Sequence, residues 1–157
     1  MVVHEIAPIF DKNSKVLILG TMPSPKSRQA AFYYMHPQNR FWRVLGAILE
    51  EGFSVSNEQK RNILLKRRIA LWDVLKSCDI DGASDASIKN EVPNDLNIIF
   101  SSSKIDQVFT TGRTAEKFYK KYFRKECIAL YSPSAANCAI SFERLCEDYS
   151  QILEFLK

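Results

Sequence analysis

Four short runs of apolar residues recur along the chain, and each lacks the polar alternation of a half-buried strand. The runs lie at residues 15–19, 69–75, 107–111 and 127–131. A continuous apolar run of this length is typical of a strand that is covered on both faces, as in a parallel sheet. The pattern therefore predicts four central β-strands.

Apolar residues at helical spacing occupy much of the chain between and after these runs. The strands alternate with these helical segments, which predicts the α/β class, with a three-layer α/β/α architecture around a four-stranded parallel sheet. Residues 1–14 and 76–93 show no regular period, so an irregular lead-in and a polar loop are expected there. A short helical turn is expected within residues 26–37. The predicted helices run from residue 38 or 39 to 50, over 56–68, from a cap at residue 94 or 95 to 100, over 114–125, and through the segment that follows Ser141.

The size and composition are those of one globular domain. The chain has 157 residues, of which 46% are hydrophobic and 25% are charged, so residues 1–157 are expected to fold as a single domain and to act as a monomer. No apolar run approaches the roughly 20 residues that span a membrane. The N-terminal segment has no basic stretch before its apolar residues, so no signal peptide is expected, and the expected location is the cytoplasm.

Metal and cofactor sites are not expected from the residue inventory. Four cysteines show no CxxC spacing and only two histidines are present, which favours free thiols over a zinc or iron–sulfur site. No glycine-rich nucleotide loop and no serine or cysteine nucleophile motif occurs. The net charge of +4 favours polyanionic partners mildly, and the lysine and arginine clusters are either solvated helix faces or part of a phosphate-following surface.

Two loops follow the first and fourth predicted strands, with the sequences GTMPS at residues 20–24 and SPSAAN at residues 132–137. Open α/β sheets bind ligands at the carboxyl ends of their strands, so the two loops are expected to share a crevice. Their surroundings offer amides, hydroxyls, aromatic rings and His36. This inventory suits cleavage of the bond between a nucleobase and its sugar, because that reaction needs an oriented water, donors for the departing base and a ring to stack on it.

Three segments carry a family resemblance: GTMPSPKS from Gly20, FYYMHPQNRFW from Phe32, and LYSPSAAN from Leu130. Together they resemble the uracil-DNA glycosylase superfamily, and within it most closely the hypoxanthine-DNA glycosylase branch, also called family 6 or DNA-deoxyinosine glycosylase. The resemblance covers nearly the whole chain. It implies a uracil-DNA glycosylase-like fold and excision of a deaminated base from DNA without a cofactor or a metal.

The resemblance assigns the catalytic amide to Asn39, whose side chain would orient the attacking water. In related mismatch glycosylases an asparagine of the first loop has this role. Met22 stands in its place here, which argues against ordinary uracil excision. Asn39 also stands where a helix N-cap is expected, and the two roles can overlap.

The predicted base-binding residues surround this amide. Tyr34 falls where the mismatch enzymes place the ring that stacks on the flipped base, and Tyr33 is the second candidate, with core packing as the alternative for both. His36 either bonds the base or fixes its own loop. The first loop completes the set with Gly20, Thr21, Met22, Pro23 and Ser24.

The second loop corresponds to the superfamily segment that grips DNA beside the lesion, although an ordinary turn has the same sequence features. Asp85 is either a carboxylate of the site or a loop cap. The predicted DNA contacts are Lys26, Ser27, Arg40, Ser132, Pro133, Ser134, Ala136 and Asn137.

These expectations describe a monofunctional DNA glycosylase, a hydrolase of N-glycosyl bonds that removes hypoxanthine in base excision repair. No lysine stands in the motifs as a Schiff-base nucleophile, so lyase activity is not expected. The alternatives are uracil or xanthine excision by the same fold, and a catalytically silent module that binds DNA or nucleotides.

Overall fold

The computed structural model describes all 157 residues. Seven strands and six α-helices follow one another along the chain, and a 3-10 helix at Ser150–Phe155 closes it. The strands are β1 Val2–Val3, β2 Val16–Gly20, β3 Ile69–Asp73, β4 Leu75–Asp81, β5 Ser84–Pro93, β6 Gln107–Thr111 and β7 Ile128–Leu130. The α-helices are α1 Pro25–Ala30, α2 Phe41–Leu49, α3 Asn57–Lys66, α4 Asn97–Phe100, α5 Arg113–Phe123 and α6 Phe142–Tyr149.

The central sheet confirms the predicted α/β class and the four-stranded parallel sheet. Its strand order is β3-β2-β6-β7, and all three neighbouring pairs are parallel. Every residue of β2 and β3 is buried, which is why both strands read as unbroken apolar runs. The chain steps from β2 to β3 on one side and to β6 on the other, so the topological switch point lies between β2 and β6.

Helix ends and helix packing follow the sequence pattern closely. Ser56 and Gln59 form a capping box at the start of α3, and the Ser141 hydroxyl accepts a hydrogen bond from the Arg144 backbone N–H at the start of α6. Helix α2 packs against α6, and α5 packs against β6 and β7. The contact between α2 and α6 includes the rings of Phe41 and Tyr149, 6.4 Å apart in an edge-on arrangement.

Residues 76–93 were expected to form a polar loop, and that expectation is wrong. They belong to the antiparallel hairpin of β4 and β5, which turns at Gly82 with a φ of +61°. Asp-Gly is a strong hairpin signal. Most residues of β5 are polar, and most are exposed, so the sequence lacks the alternation of apolar and polar residues that would predict a strand. Strand β1 pairs with β4, so the N-terminal segment is not wholly irregular. A strand of two residues is too short to show an alternation of apolar and polar residues in the sequence.

No helix of the structure combines the length and the apolar character needed to cross a membrane.

Candidate active site

A cleft of about 440 Å³ opens at the carboxyl ends of the central strands. It lies beside the switch point, and the loops after β2 and β7 both line it, which confirms that they share a crevice although β6 separates the two strands. The tip of the β4–β5 hairpin forms a further part of the wall. The lining residues are Gly20–Ser24, Ser27, Tyr33, Tyr34, Asn39, Asp73, Ala83–Asp85, Thr111, Ser132–Ser134, Ala136 and Asn137.

The first loop is tied to β3 through its carbonyl groups. Gly20 and Thr21 accept hydrogen bonds from the backbone N–H groups of Val74 and Leu75, at 2.8 and 3.1 Å. The backbone N–H groups of Thr21 and Met22 form no hydrogen bond within the chain. The loop therefore presents two free donors beside the cleft, while the carbonyl groups of Gly20 and Thr21 are occupied.

Helix α1 follows the first loop directly. The Ser24 hydroxyl accepts a hydrogen bond from the Ser27 backbone N–H and caps the helix. The Ser27 hydroxyl in turn accepts from the Met35 backbone N–H at 3.0 Å, which ties the helix to the aromatic segment. Lys26 is exposed on α1 and does not line the cleft.

Asn39 lies at the cleft wall, just before α2. Its side-chain oxygen accepts a hydrogen bond from the Phe41 backbone N–H at 2.9 Å, which forms an Asx turn. The N-cap residue of α2 is Arg40, so the predicted N-cap at Asn39 falls one residue too early. The oxygen has a second lone pair, and the amide nitrogen makes no hydrogen bond within the protein. The amide is thus held in one orientation and still has polar capacity for a ligand.

Tyr34 is held from two sides at the centre of the site. Its ring stacks on Phe41 with the centroids 3.9 Å apart and an interplanar angle of 16°, and its hydroxyl shares a 2.9 Å hydrogen bond with the Thr111 hydroxyl at the end of β6. The backbone φ is +53°, a conformation that non-glycine residues adopt only when their surroundings enforce it. Burial, with the nearby Asp73 as a smaller cause, raises the pKa of this phenol far above its usual range.

Tyr33 and His36 are placed differently from Tyr34. The Tyr33 side chain is in the core, 2% exposed, and its hydroxyl donates to the Ala7 carbonyl at 2.8 Å. His36 is exposed, does not line the cleft, and its Nδ1 accepts a hydrogen bond from the Gln38 backbone N–H. The Tyr33 ring packs in the core and also lines the cleft, and His36 bonds within its own loop. The predicted base contacts of both residues stay predictions.

Arg40, predicted to contact DNA, has a structural role within the protein. Its guanidinium donates to the backbone carbonyls of Ser134, Asn137 and Ile140, and its backbone N–H donates to the Pro133 carbonyl at 3.0 Å. Four bonds from one residue thus anchor the second loop to the start of α2. Three of the five guanidinium N–H donors are engaged in this way, and the DNA contact of Arg40 stays a prediction.

The second loop is organised by its own side chains. The hydroxyls of Ser132 and Ser134 accept hydrogen bonds from the backbone N–H groups of Ser134 and Ala136, and the Asn137 amide donates to the Ser132 carbonyl. Both serine O–H groups remain available as donors. The loop is therefore a preformed surface, with Pro133 buried beneath it.

Two buried residues of the cleft were not predicted, Asp73 and Thr111. Both stand at the last position of a buried strand. Asp73 lies inside the predicted run at residues 69–75, two residues before its end, and Thr111 ends the run at residues 107–111. A polar residue at the carboxyl end of such a run is a usable signal, because that edge of the sheet holds the site. The hairpin tip with Asp85 also lines the cleft, and its place depended on a hairpin that was read as a loop.

Asp73 is 4% exposed, and burial raises the pKa of its carboxyl group to about 7. The nearest histidine is His4, whose Nε2 lies 3.8 Å from Oδ2 of Asp73 and donates a 2.7 Å hydrogen bond to the Leu75 carbonyl. Burial lowers the pKa of His4. The pair is therefore a neutral imidazole beside a carboxyl group rather than a salt bridge.

No three histidine, cysteine, aspartate or glutamate side chains lie close enough together to hold a metal ion. The four cysteines are free, and only Cys78 is buried.

Fold and cleft together are those of an α/β DNA glycosylase. The chain belongs to the uracil DNA glycosylase superfamily, whose family model matches residues 7–157.

Two relatives from methanogenic archaea bear the name hypoxanthine DNA glycosylase. The protein from Methanosarcina barkeri is 43% identical over 93 residues, and this match spans 59% of the present chain and 59% of the relative. The protein from Methanosarcina acetivorans is 33% identical over 149 residues, which is 92% of this chain and 94% of the relative.

A solved structure supports the same fold. The solution NMR structure of a chain from Methanosarcina acetivorans, described as a candidate uracil DNA glycosylase, matches with a TM-score of 0.84 and 31% identity over 99% of both chains. This likeness extends to the whole of the described architecture.

Proposed function

We propose that this protein removes hypoxanthine from DNA by hydrolysis of the N-glycosidic bond. The observation that carries the proposal is the Asn39 amide, fixed by the Phe41 backbone N–H at the wall of a switch-point cleft. The two relatives named hypoxanthine DNA glycosylase support the choice of base. A volume of about 440 Å³ lies within the usual range for sites that enclose a small ligand such as a flipped purine.

The base enters the cleft after the nucleotide rotates out of the duplex. One face of the Tyr34 ring is covered by Phe41, and the base stacks on the ring from the cleft. Base–aromatic stacking contributes about 1–3 kcal/mol. The hydrogen bond to Thr111 holds the ring in place before the base arrives, so little side-chain freedom is lost on binding.

Asn39 orients the water that attacks the sugar. The glycosidic bond breaks through an oxocarbenium-like state, so the water needs position more than activation, and an amide oxygen supplies position without acting as a strong base. The free N–H groups of Thr21 and Met22 stabilise the negative charge that develops on the base. Met22 offers the site only its backbone and an apolar side chain.

The surface of the second loop holds the DNA strand beside the extruded nucleotide. The serine O–H groups and the exposed Ala136 face, preformed by the Arg40 anchor, contact phosphate and sugar groups. Lys26 on α1 adds a sequence-independent charge contact. Excision is monofunctional, since no lysine lines the cleft as a nucleophile toward the sugar carbon.

The deciding experiment is a panel of duplexes that each carry one lesion: hypoxanthine, uracil or xanthine. Single-turnover excision is expected for hypoxanthine, and strand cleavage is expected only after alkali. A protein that releases uracil or xanthine instead acts on another base with the same fold. A protein that binds the duplexes and releases no base is a silent binding module, and the proposal is then wrong.

Asn39 is tested in the same assay with two substitutions that separate its hydrogen bond to the Phe41 backbone N–H from its chemistry. Asn39→Ser keeps an oxygen acceptor at the helix start, whereas Asn39→Ala loses it at a cost of about 1 kcal/mol in stability. Both variants lack the amide, so both are expected to lose excision by at least about 100-fold while duplex binding is kept. Asn62→Ala, at an exposed position of α3, is the matched control, and near-normal turnover by Asn39→Ser would refute the assignment.

A further inference from the structure

Asp73 is a buried carboxyl group without a hydrogen-bond partner at the centre of the cleft. Neither of its oxygens forms a hydrogen bond within the protein, and Oδ2 is fully enclosed. A buried polar atom without a partner costs about 1–3 kcal/mol. Native proteins seldom carry this cost without a reason, and a ligand that completes the hydrogen bonding is one such reason.

The surroundings keep the carboxyl group in this position and direct it to the cleft. Gly20 lies beneath it, and a Cβ atom on Gly20 would stand 2.5 Å from Oδ1 of Asp73 and 3.0 Å from the Tyr34 hydroxyl. The absence of that atom lets the carboxyl and the phenol approach the same point of the cleft wall. Asp73 therefore borders the space in which the Tyr34 ring receives the base.

No neighbouring charge stabilises an ionised Asp73. The titratable groups that face it are His4 from the lead-in and Tyr33 and Tyr34 from the aromatic segment. Burial lowers the pKa of His4 and raises the pKa values of both phenols, so all three are neutral near pH 7. Arg28 acts on His4 as a minor cause that also disfavours its protonation.

We propose that Asp73 is the general acid of base excision, a catalytic residue that donates its carboxyl proton to N7 of the departing purine as the glycosidic bond breaks. This inference rests on the proposed hypoxanthine activity and deepens it. N7 is the most basic ring nitrogen of hypoxanthine in a nucleoside, and protonating it converts an anionic leaving group into a neutral one. Oδ1, on the Gly20 side of the carboxyl group, is the oxygen that would hold the proton and meet the base, since Oδ2 is enclosed beside His4.

The step balances within the site and the solvent. The O–H bond of Asp73 breaks and an N7–H bond forms, while the electron pair of the C1′–N9 bond moves into the purine ring. The water oriented by Asn39 adds to C1′ and releases one proton to solvent. Asp73 regains a proton from solvent after the neutral base leaves.

The pH dependence of single-turnover excision by Asp73→Asn tests the proposal. A general acid works only while it is protonated, so the wild-type rate is expected to fall as the pH rises through about 7, where the Asp73 carboxyl loses its proton. Asparagine has the same shape and no acidic proton, so the variant is expected to be roughly 100-fold slower or more below pH 7 and to lack this fall. Asp106→Asn, an exposed position outside the cleft, is expected to match the wild type.

A second measurement uses a substrate change, which does not depend on how the variant folds. A duplex with 7-deazahypoxanthine offers no N7 lone pair, so wild type and Asp73→Asn are expected to excise it at nearly equal, slow rates. An equal rate loss by Asp73→Asn on both substrates would mean that Asp73 merely orients the base, and the proposal would be overturned. An unchanged pH profile in the variant would overturn it as well.

The outcomes distinguish a failure of the proposed role of Asp73 from a failure of the proposed hypoxanthine activity. If the wild type releases no hypoxanthine, the proposed function is wrong, whatever Asp73 does. If the wild type is active and Asp73→Asn keeps both its rate and its pH profile, only the role of Asp73 is wrong. Thermal unfolding above pH 7 checks the fold, since replacing a buried carboxylate by a neutral amide is expected to leave stability equal or higher.

Discussion

The side chains of Tyr34 and Asn39 each have a structural role and a proposed role in excision. The Asn39 side chain forms a turn before α2 by accepting a hydrogen bond from the Phe41 backbone N–H. The Phe41 ring stacks on the Tyr34 ring. A strained φ of +53° at Tyr34 persists because stacking and the bond to Thr111 hold the residue from both ends. Residue type alone leaves both core packing and base stacking open for Tyr34, because an aromatic ring beside a core residue suits both.

Stacking of the base on the Tyr34 ring is expected to contribute more to the excision rate than the Tyr34 hydroxyl does. Tyr34→Phe keeps the stacking surface and loses only the bond to Thr111, so excision is expected within a few-fold of wild type. Tyr34→Ala removes a stacking contribution of about 1–3 kcal/mol, which corresponds to roughly a 5- to 150-fold loss in the single-turnover rate at subsaturating enzyme. If Tyr34→Ala and Tyr34→Phe behave alike, the ring does not stack on the base.

The elements meet closely at the carboxyl edge of the sheet. The end of β2 has to be glycine because Asp73 at the end of β3 and the Tyr34 hydroxyl both approach the place where a Cβ would stand. Neighbouring parallel strands bring their last residues side by side, so the constraint belongs to the pair of strands and not to Gly20 alone.

Gly20→Ala is expected to disable the site and destabilise the fold. An added methyl group 2.5 Å from the Asp73 carboxyl forces that side chain and Tyr34 to shift, at a cost of about 1–3 kcal/mol, and excision is expected to fall below detection. Gly52→Ala is the control, because its Cβ would meet no atom within 4 Å. Thermal unfolding and single-turnover rates measure both effects, and a Gly20→Ala variant with wild-type excision would disprove the close approach.

The second loop depends on helix α2 through Arg40. Arg40→Ala removes three side-chain hydrogen bonds to the carbonyls of residues 134–140, so hydrogen–deuterium exchange across residues 132–140 is expected to rise and duplex affinity to fall by roughly 10-fold. Arg43→Ala is the matched control, since Arg43 is exposed in the same helix. Exchange that stays at the wild-type level in Arg40→Ala would show that the loop holds its own shape.

The whole molecule is built around a small parallel sheet. Residues from distant parts of the sequence meet at the switch point of this sheet. Asn39, Asp73, Thr111 and Ser132 come from four separate segments of the chain and all line the cleft. The net charge is only +4, so DNA binding is expected to draw on a few local contacts near the cleft and not on a strongly basic face.

A modest dependence of duplex affinity on salt is therefore expected. The logarithm of affinity falls with the logarithm of salt concentration by about 0.9 per phosphate contact, so Lys26→Ala, beside the first loop, is expected to reduce the slope by about 1. Lys12 lies before the amino end of β2, at the opposite edge of the sheet, and Lys12→Ala is expected to leave the slope unchanged. Equal changes in the two variants would place the DNA elsewhere.

Local sequence patterns predict the four strands of the central sheet, most of the helices and the crevice that the two loops share. The reason is physical: burial on both faces produces apolar runs, and helix caps and loop residues have strong local preferences. Strand β7, at the edge of the sheet, is only partly buried. The family resemblance added Asn39 and Tyr34 as the residues on which the chemistry is proposed to rest. Those roles stay predictions until the lesion panel and the substitutions are measured.

The remaining features of the fold and the cleft arise from contacts between distant segments, which a local sequence pattern does not contain. The tertiary structure turned residues 76–93 into a hairpin, since pairing with β1 and between β4 and β5 compensates for a weak strand pattern. It directed the Arg40 guanidinium to loop carbonyls and placed the Tyr33 ring in the core. It also brought Asp73 to the cleft without a partner, and a local sequence pattern cannot show that, because burial and missing hydrogen bonds are properties of the folded chain.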